Sequence, residues 1–182
     1  VLAAKTTVVP LDLSHQVLAT ADVRGMLLHG SGAGAKTAGD AAEGKTTLRT
    51  MLVELLYFFS KTYAVWDSDI FSITEGPPLH DPLAVAAVLT GTPDEITFHD
   101  WDAQRSESPR YDERFGVSVV TEGVFEDARD GKVETGRTVS ALLPRGQAGV
   151  RIPRSMDVAK FWHVIEDCVQ RADAVNAANG LT

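Results

Sequence analysis

His80 and Asp81 are the residues of this sequence best suited to chemistry. They sit in the stretch from Gly76 to Leu89, Gly-Pro-Pro-Leu-His-Asp-Pro-Leu-Ala-Val-Ala-Ala-Val-Leu. An imidazole with a near-neutral pKa can pass a proton, and a neighbouring carboxylate can hold a cation or a hydroxyl-bearing ligand. Pro82 suits a first helical position, because it has no N–H to leave unpaired and its φ is already helical. A residue before proline is pushed out of the helical region, so Asp81 is expected as the N-cap of a short apolar helix. That helix should run to about Thr90 and stop at Gly91 and Pro93. Asp81 would then face the positive end of the helix, with His80 at the lip of a buried element. The same letters also read as ordinary capping grammar beside a solvated histidine.

Other titratable and aromatic residues compete for attention. His15, in Ser14-His15-Gln16, is a second site candidate or a histidine hydrogen-bonded in a strand-to-helix turn. Phe59 and Tyr63 lie four apart near the C-terminal end of a long helix, where they could close over a flat ligand by stacking. Aromatic stripes of this kind more often belong to a core. Asp67 and Asp69 could bind a metal, although two acids in a link are usually solvated. His163 and Asp167 have metal-ligand spacing on the last helix, but Lys160, Glu166 and Arg171 read as a solvated face. Gly39 to Thr46, Gly-Asp-Ala-Ala-Glu-Gly-Lys-Thr, matches the phosphate-loop pattern, with Lys45 and Thr46 as its nucleotide contacts. No strand leads into it, and Asp40 and Glu43 would place two negative charges in the cradle, so nucleotide binding is the second reading.

The elements that must position these groups follow from periodicity. Thr6 to Leu13 reads as a strand end broken by Pro10, followed by a helix over Val17–Leu28 behind Thr20 and Asp22. Residues 30–47 are a Gly-, Ala-, Thr- and Ser-rich surface loop. Thr47 to Val65 is the strongest helix, with Leu48, Met51, Leu52, Leu55, Leu56 and Phe59 at helical spacing. Residues 97–114 read as an exposed polar excursion without a core, pinned by Trp101 and Tyr111. Phe115 to Leu143 switches to alternation and predicts antiparallel strands ending near Glu126 and near Leu143, with a turn at Asp130-Gly131. Val150 to Ile152 is a short extended piece. The last helix starts at Ser155 to Asp157, packs Val158, Phe161, Trp162, Ile165 and Val169 on one face, and frays from Ala172.

Composition sets the class. The chain has 182 residues, 44% apolar and 23% charged, which suits one domain with a real core. Seventeen Lys and Arg against 25 Asp and Glu give a net charge of -8. That balance argues against a nucleic-acid partner and permits a cation site. A single Cys168 cannot form an internal disulfide, which points to a reducing, cytoplasmic compartment. No apolar run approaches the roughly 20 residues that span a bilayer, so no membrane partner is expected. The chain opens on Val1 inside an apolar run, which reads as a cut end.

Four stretches together resemble the inosine-uridine-preferring nucleoside hydrolases. Pro10-Leu11-Asp12-Leu13-Ser14-His15-Gln16-Val17-Leu18-Ala19-Thr20 is similar to a segment that follows a strand in those enzymes. Phe58-Phe59-Ser60-Lys61-Thr62-Tyr63 resembles the helix whose end carries aromatics over the base. Leu79-His80-Asp81-Pro82-Leu83-Ala84-Val85-Ala86 resembles their His-Asp-Pro motif, and Phe161-Trp162 with Val164-Ile165 and Asp167 their final helix. The matches keep the family's order across residues 1–182, read as a single, incomplete domain. Residues 30–47 and 97–114 look like loop insertions similar to those of fungal members.

The resemblance implies an α/β fold: the C-terminal part of an open, mostly parallel sheet with helices on both faces and a small antiparallel addition. It implies calcium-dependent hydrolysis of the N-glycosidic bond of ribonucleosides to free base and ribose. His80 resembles the histidine that protonates the departing base. Asp81 resembles the calcium ligand that also holds ribose hydroxyls, and Tyr63 and Phe59 resemble the aromatics near the base. Asp12 and His15 match the motif without an assigned role. The family's N-terminal aspartate cluster and ribose-gripping residues have no counterpart here, since no Asp-x-Asp-x-x-x-Asp-Asp run exists in this sequence. The expectation is therefore a chain inactive alone, completed by an N-terminal half or a second chain, and a homo-oligomer when complete. A non-catalytic interaction domain is the remaining alternative.

Overall fold

Helix-forming periodicity and capping residues build most of the molecule, which we describe from a computed structural model covering residues 2–31, 43–66, 76–102 and 108–181. The side chains of residues 63–66 lie outside that description. In chain order the helices are α1 (Leu11–Ser14), α2 (Ala21–His29), α3 (Thr47–Trp66), α4 (Asp81–Ala86), α5 (Phe125–Arg129) and α6 (Val158–Ala178). The strands are β1 (Phe98–His99), β2 (Phe115–Val119), β3 (Thr138–Leu142) and β4 (Ser155–Met156). Two compact units result. One joins Val1–Pro10 to Phe98–Met156, and the other joins Leu11–Thr97 to Asp157–Thr182.

The second of these units is helical. The Thr20 hydroxyl caps α2 by accepting the Val23 N–H at 3.3 Å, and Gly30 ends the helix at φ 84°. Asp157 caps α6 by accepting the Lys160 N–H at 2.9 Å. The helix therefore starts after Ser155 and Met156, which form β4 instead of its first turn. Nor does the tail fray from Ala172: α6 continues to Ala178, because alanine is the best helix former and Asp173 is tied to α3. Leu27 and Leu28 of α2, Val53 of α3 and Val169 of α6 form the buried centre, with Leu52, Leu56 and Ile165 packed against it. An extended lead-in, Pro77 to Leu79, runs antiparallel to Val17–Ala19. Ala19 N donates to Pro77 O at 2.9 Å and Leu79 N to Val17 O at 3.0 Å.

The other unit is built from antiparallel pairs. Phe98 faces Met156 and His99 faces Ser155 in β1–β4, while Phe115 faces Leu142 and Val119 faces Thr138 in β2–β3. Thr7 and Arg151 make a parallel bridge. The chain is thus of mixed helix and strand, and its antiparallel ribbon and the extended piece at Val150–Ile152 lie where periodicity put them. An open parallel sheet is not among the described elements. The strand expected near Glu126 is helix α5. Gly123, at φ 97°, turns the chain, and Glu126 and Asp127 in the first turn with Arg129 in the last complement the helix dipole. Nor is the start of residues 97–114 exposed. Asp100 is buried, pairing with Arg151 Nε at 3.3 Å and accepting the Glu113 N–H at 3.2 Å. Trp101 and Tyr111 do meet, ring to ring at 5.3 Å.

Candidate functional site

The strap of backbone hydrogen bonds between Val17–Ala19 and Pro77–Leu79 decides what stands beside His80. It brings the end of α1 against the start of α4. Glycine is required at position 76, with φ 128°, because a Cβ there would lie 2.3 Å from the Ala19 carbonyl oxygen. At the start of α4 the expected cap is displaced by one residue. His80, not Asp81, is the N-cap, with helical dihedrals (φ -103°, ψ -68°) and no side-chain capping bond. Pro82 has no N–H to offer, so the turn closes through Leu83 N to His80 O at 3.2 Å. That bond draws His80 into the helix and places Asp81 at its first position.

Around the His80 ring the structure gathers groups from distant sequence. Ser14 Oγ lies 2.8 Å from Nδ1. The His15 ring meets it edge to face at 5.6 Å. Burial lowers the pKa of His80 below the ordinary imidazole value, the His15 ring acts in the same direction, and Asp81 opposes both. A cleft of about 330 Å³ is lined by Leu56 and Phe59 of α3 and by Pro78, Leu79, His80, Asp81 and Pro82. Phe59, His80 and Asp81 therefore share one cleft, and Phe59 remains 38% exposed at its edge. Tyr63 belongs to α3 one turn further on, but its side chain lies outside the described residues. A wider groove of about 700 Å³, almost wholly apolar, shares Leu56, Phe59 and Asp81 and extends over Leu55, Phe58 and Trp162.

Among the described residues, Asp12, Lys45, Thr46, His163 and Asp167 do not line this cleft. Asp12 is exposed on α1. His163 Nε2 and Asp167 Oδ2 are 3.5 Å apart on the accessible side of α6. Asp67, Asp69 and residues 39–42 lie outside the described residues. Thr46 caps α3, accepting the Arg49 N–H at 3.3 Å and donating to Asp173 Oδ1 at 2.7 Å. Lys45 N donates to Leu28 O at 2.9 Å. Glu166 does not mark a solvated face: it is 1% exposed and receives both Arg49 Nη1 at 3.2 Å and Nη2 at 3.3 Å. Helical spacing from Trp162 and Val169 puts it on the apolar side, which the reading of α6 by charge alone overlooks. Ser14, Arg49 and Glu166 are buried polar residues whose surroundings sequence reasoning missed.

A hard cation such as calcium takes about six to eight oxygen ligands. Among the described residues Asp81 is the single acid lining the cleft, and no group of three or more His, Cys, Asp or Glu could hold a metal. The described residues do not by themselves fit such an ion.

A half-buried histidine beside a carboxylate, in a cleft that an aromatic side chain also lines, is a site that can donate a proton and hold a hydroxyl. Over residues 1–163 the chain matches the inosine-uridine preferring nucleoside hydrolases, and it belongs to that family. It is similar to the uridine nucleosidase of Saccharomyces cerevisiae, with 28% identity over 173 residues. That match takes in 94% of this chain and 42% of the yeast protein, so the chain spans less than half the length of this relative.

Proposed function

We propose that this chain supplies the leaving-group side of a nucleoside N-ribohydrolase. The observation that supports the reading is the shared cleft in which His80, held by Ser14, stands beside Asp81 and Phe59. In the reaction the C1′–N bond of a ribonucleoside breaks through an oxocarbenium-like sugar, and the bonding pair leaves with the base. As an imidazolium His80 gives the departing base a proton and is left neutral, water adds its oxygen to C1′, and the proton that this water loses restores the imidazolium. Phe59 with Tyr63 stacks on the base, and Asp81 accepts from ribose hydroxyls. Calcium binding in the complete protein would use Asp81 as one ligand and take the others from an N-terminal half outside this sequence. That half would also complete an open parallel sheet. Homo-oligomeric assembly and a cytoplasmic location belong to the same proposal.

The test joins this chain to the remaining length of the yeast uridine nucleosidase and measures release of free base from uridine and inosine. Release should be abolished by chelating divalent cations. It should fall roughly 10² to 10⁴-fold in kcat for His80→Ala, the range of one general acid. Asp81→Ala should also lose it. A folded joined protein that releases no base, or one indifferent to both substitutions, overturns the proposal.

A further inference from the structure

We propose that the open edge of β3 is an interaction surface, which pairs with β3 of a second copy of this chain, antiparallel and two-fold about Ser140. The ladder between β2 and β3 fixes which backbone groups remain for it. At the two ends of the paired stretch Leu143 N donates to Arg114 O and Val120 N to Arg137 O, each at 2.9 Å. Bonded and non-bonded pairs alternate along antiparallel strands. Val139 and Ala141 therefore turn their N–H and C=O towards β2, and Thr138, Ser140 and Leu142 turn theirs outward. Among the described residues no backbone group takes these outward ones, and every residue of β3 is exposed.

This edge lacks the features that keep an exposed strand from pairing. Thr-Val-Ser-Ala-Leu carries no charge and no proline, and its register with β2 runs without a bulge. The ribbon also needs a neighbour. Two strands with both faces in water are marginal, and three or more are needed for a stable sheet. Val117, Val119, Val139 and Leu142 are all exposed on it.

What singles out a second copy is the register. Antiparallel pairing of β3 with itself sets Ser140 opposite the copy's Ser140, and Thr138 opposite the copy's Leu142. Every outward N–H then meets an outward C=O, and a slip of two residues either way strands some of them. The side chains agree: Val139 falls opposite the copy's Ala141, two small hydroxyls meet on the axis, and no like charges face each other. Gly136, at φ 88°, and Pro144 close the strand at its ends. The other edge of the ribbon is already taken at Phe115, which exchanges bonds with Val150 at 2.8 and 2.9 Å. The contact is thus isologous and closes on two copies, in a sheet of order β2–β3–β3–β2. A strand from an unrelated chain would require no such agreement of β3 with itself. The surface stands apart from the hydrolase reading, since neither substrate nor activity enters it.

The test uses the 182-residue chain carrying Leu55→Lys and Phe58→Glu, so that the broad apolar groove does not contribute. Sedimentation equilibrium should show monomer and dimer. In hydrogen exchange the amides of Thr138, Ser140 and Leu142 should slow as concentration rises, while the outward amide of Val119 on the opposite edge should not. Ser140→Pro removes an N–H that faces outward and spares the β2–β3 ladder. It should weaken dimerisation about tenfold or more, because each copy loses a bond across the axis. Ser140→Lys and Ser140→Glu should each weaken it as well, since like charges then meet, and mixing the two chains should restore pairing as a heterodimer. If Ser140→Pro unfolds, that mixture decides. A chain with no dimer, folded Ser140 variants that dimerise like the parent, or a mixture no tighter than either variant alone overturns the proposal. So does amide protection that ignores concentration, which would give the edge to another part of the same chain. In the joined protein Ser140→Pro should weaken association likewise. A joined protein that is monomeric, or whose association ignores the substitution, would assign the edge to the remaining length of the family's chain and overturn the proposal too.

Discussion

A proton joining His80 charges a half-buried ring that already has a second imidazole beside it. Burial and His15 both oppose that charge, and Asp81 only partly offsets them, so the folded-state pKa lies below the ordinary 6.5. The sign for stability follows. As pH falls, the unfolded chain takes up this proton first, near 6.5, while the folded chain resists until its own lower pKa. Stability contributed by neutral His80 is complete above 6.5 and is lost as pH falls from there to the folded value. In an NMR titration His80 should therefore have a midpoint below 6.5, and His15→Ala should move it upward. A midpoint at or above 6.5, or one unmoved by the substitution, contradicts the geometry. His80 and Asp81 were legible in the sequence because Asp-Pro before an apolar helix is local grammar. Even so, local grammar erred by one residue, since it weighed the proline's effect on Asp81 and not the Leu83–His80 bond. Ser14 was not legible, because nothing local ties position 14 to position 80.

Helices α2, α3 and α6 are locked by a charge cluster as well as by their apolar faces. Arg49 of α3 bonds Glu166 and Asp173 of α6, the latter from Nε at 2.5 Å, and donates to the Leu27 carbonyl of α2 at 2.6 Å. Burial alone would lower the pKa of Arg49, but the two carboxylates more than offset it, and the guanidinium is held charged above its usual range. The pair is 3% and 1% exposed, so removing one partner strands a charge in the interior. Glu166→Ala or Arg49→Met should each cost about 3 to 5 kcal/mol in urea unfolding. Arg49→Met with Glu166→Leu should cost clearly less than the sum, because neither charge is then left alone. Additive losses would mean that the two residues act separately. The helices themselves were legible from spacing, as α3 is. What spacing also contained was the pair: Arg49 falls three and four residues before Leu52 and Val53, and Glu166 four after Trp162 and three before Val169. A charge on each of two apolar stripes is the pattern of partners that meet inside, whereas the polarity of each residue taken singly suggested solvent.

At the scale of the whole molecule, the apolar surface that the chain leaves uncovered has a measurable consequence. Leu55 and Phe58 of α3 are 55% and 70% exposed and line the broad groove that adjoins the His80 cleft. Contiguous apolar surface of this kind drives association or binds apolar probes, whereas scattered exposed residues do neither. We expect the 182-residue chain to bind a hydrophobic fluorescent dye and to self-associate with rising concentration. Leu55→Lys with Phe58→Glu should reduce both effects while leaving the unfolding midpoint almost unchanged, since exposed substitutions usually shift stability by no more than about 0.5 kcal/mol. The joined protein separates two sources of the effect. If the groove is covered by the remaining length of the family's chain, dye binding drops on joining without any substitution. If the groove instead receives another chain, joining leaves dye binding intact, and Leu55→Lys with Phe58→Glu removes it there too. A 182-residue chain that stays monomeric and dark with dye would show that the exposed stripe on α3 is too dispersed to act as a surface, and both alternatives would fall.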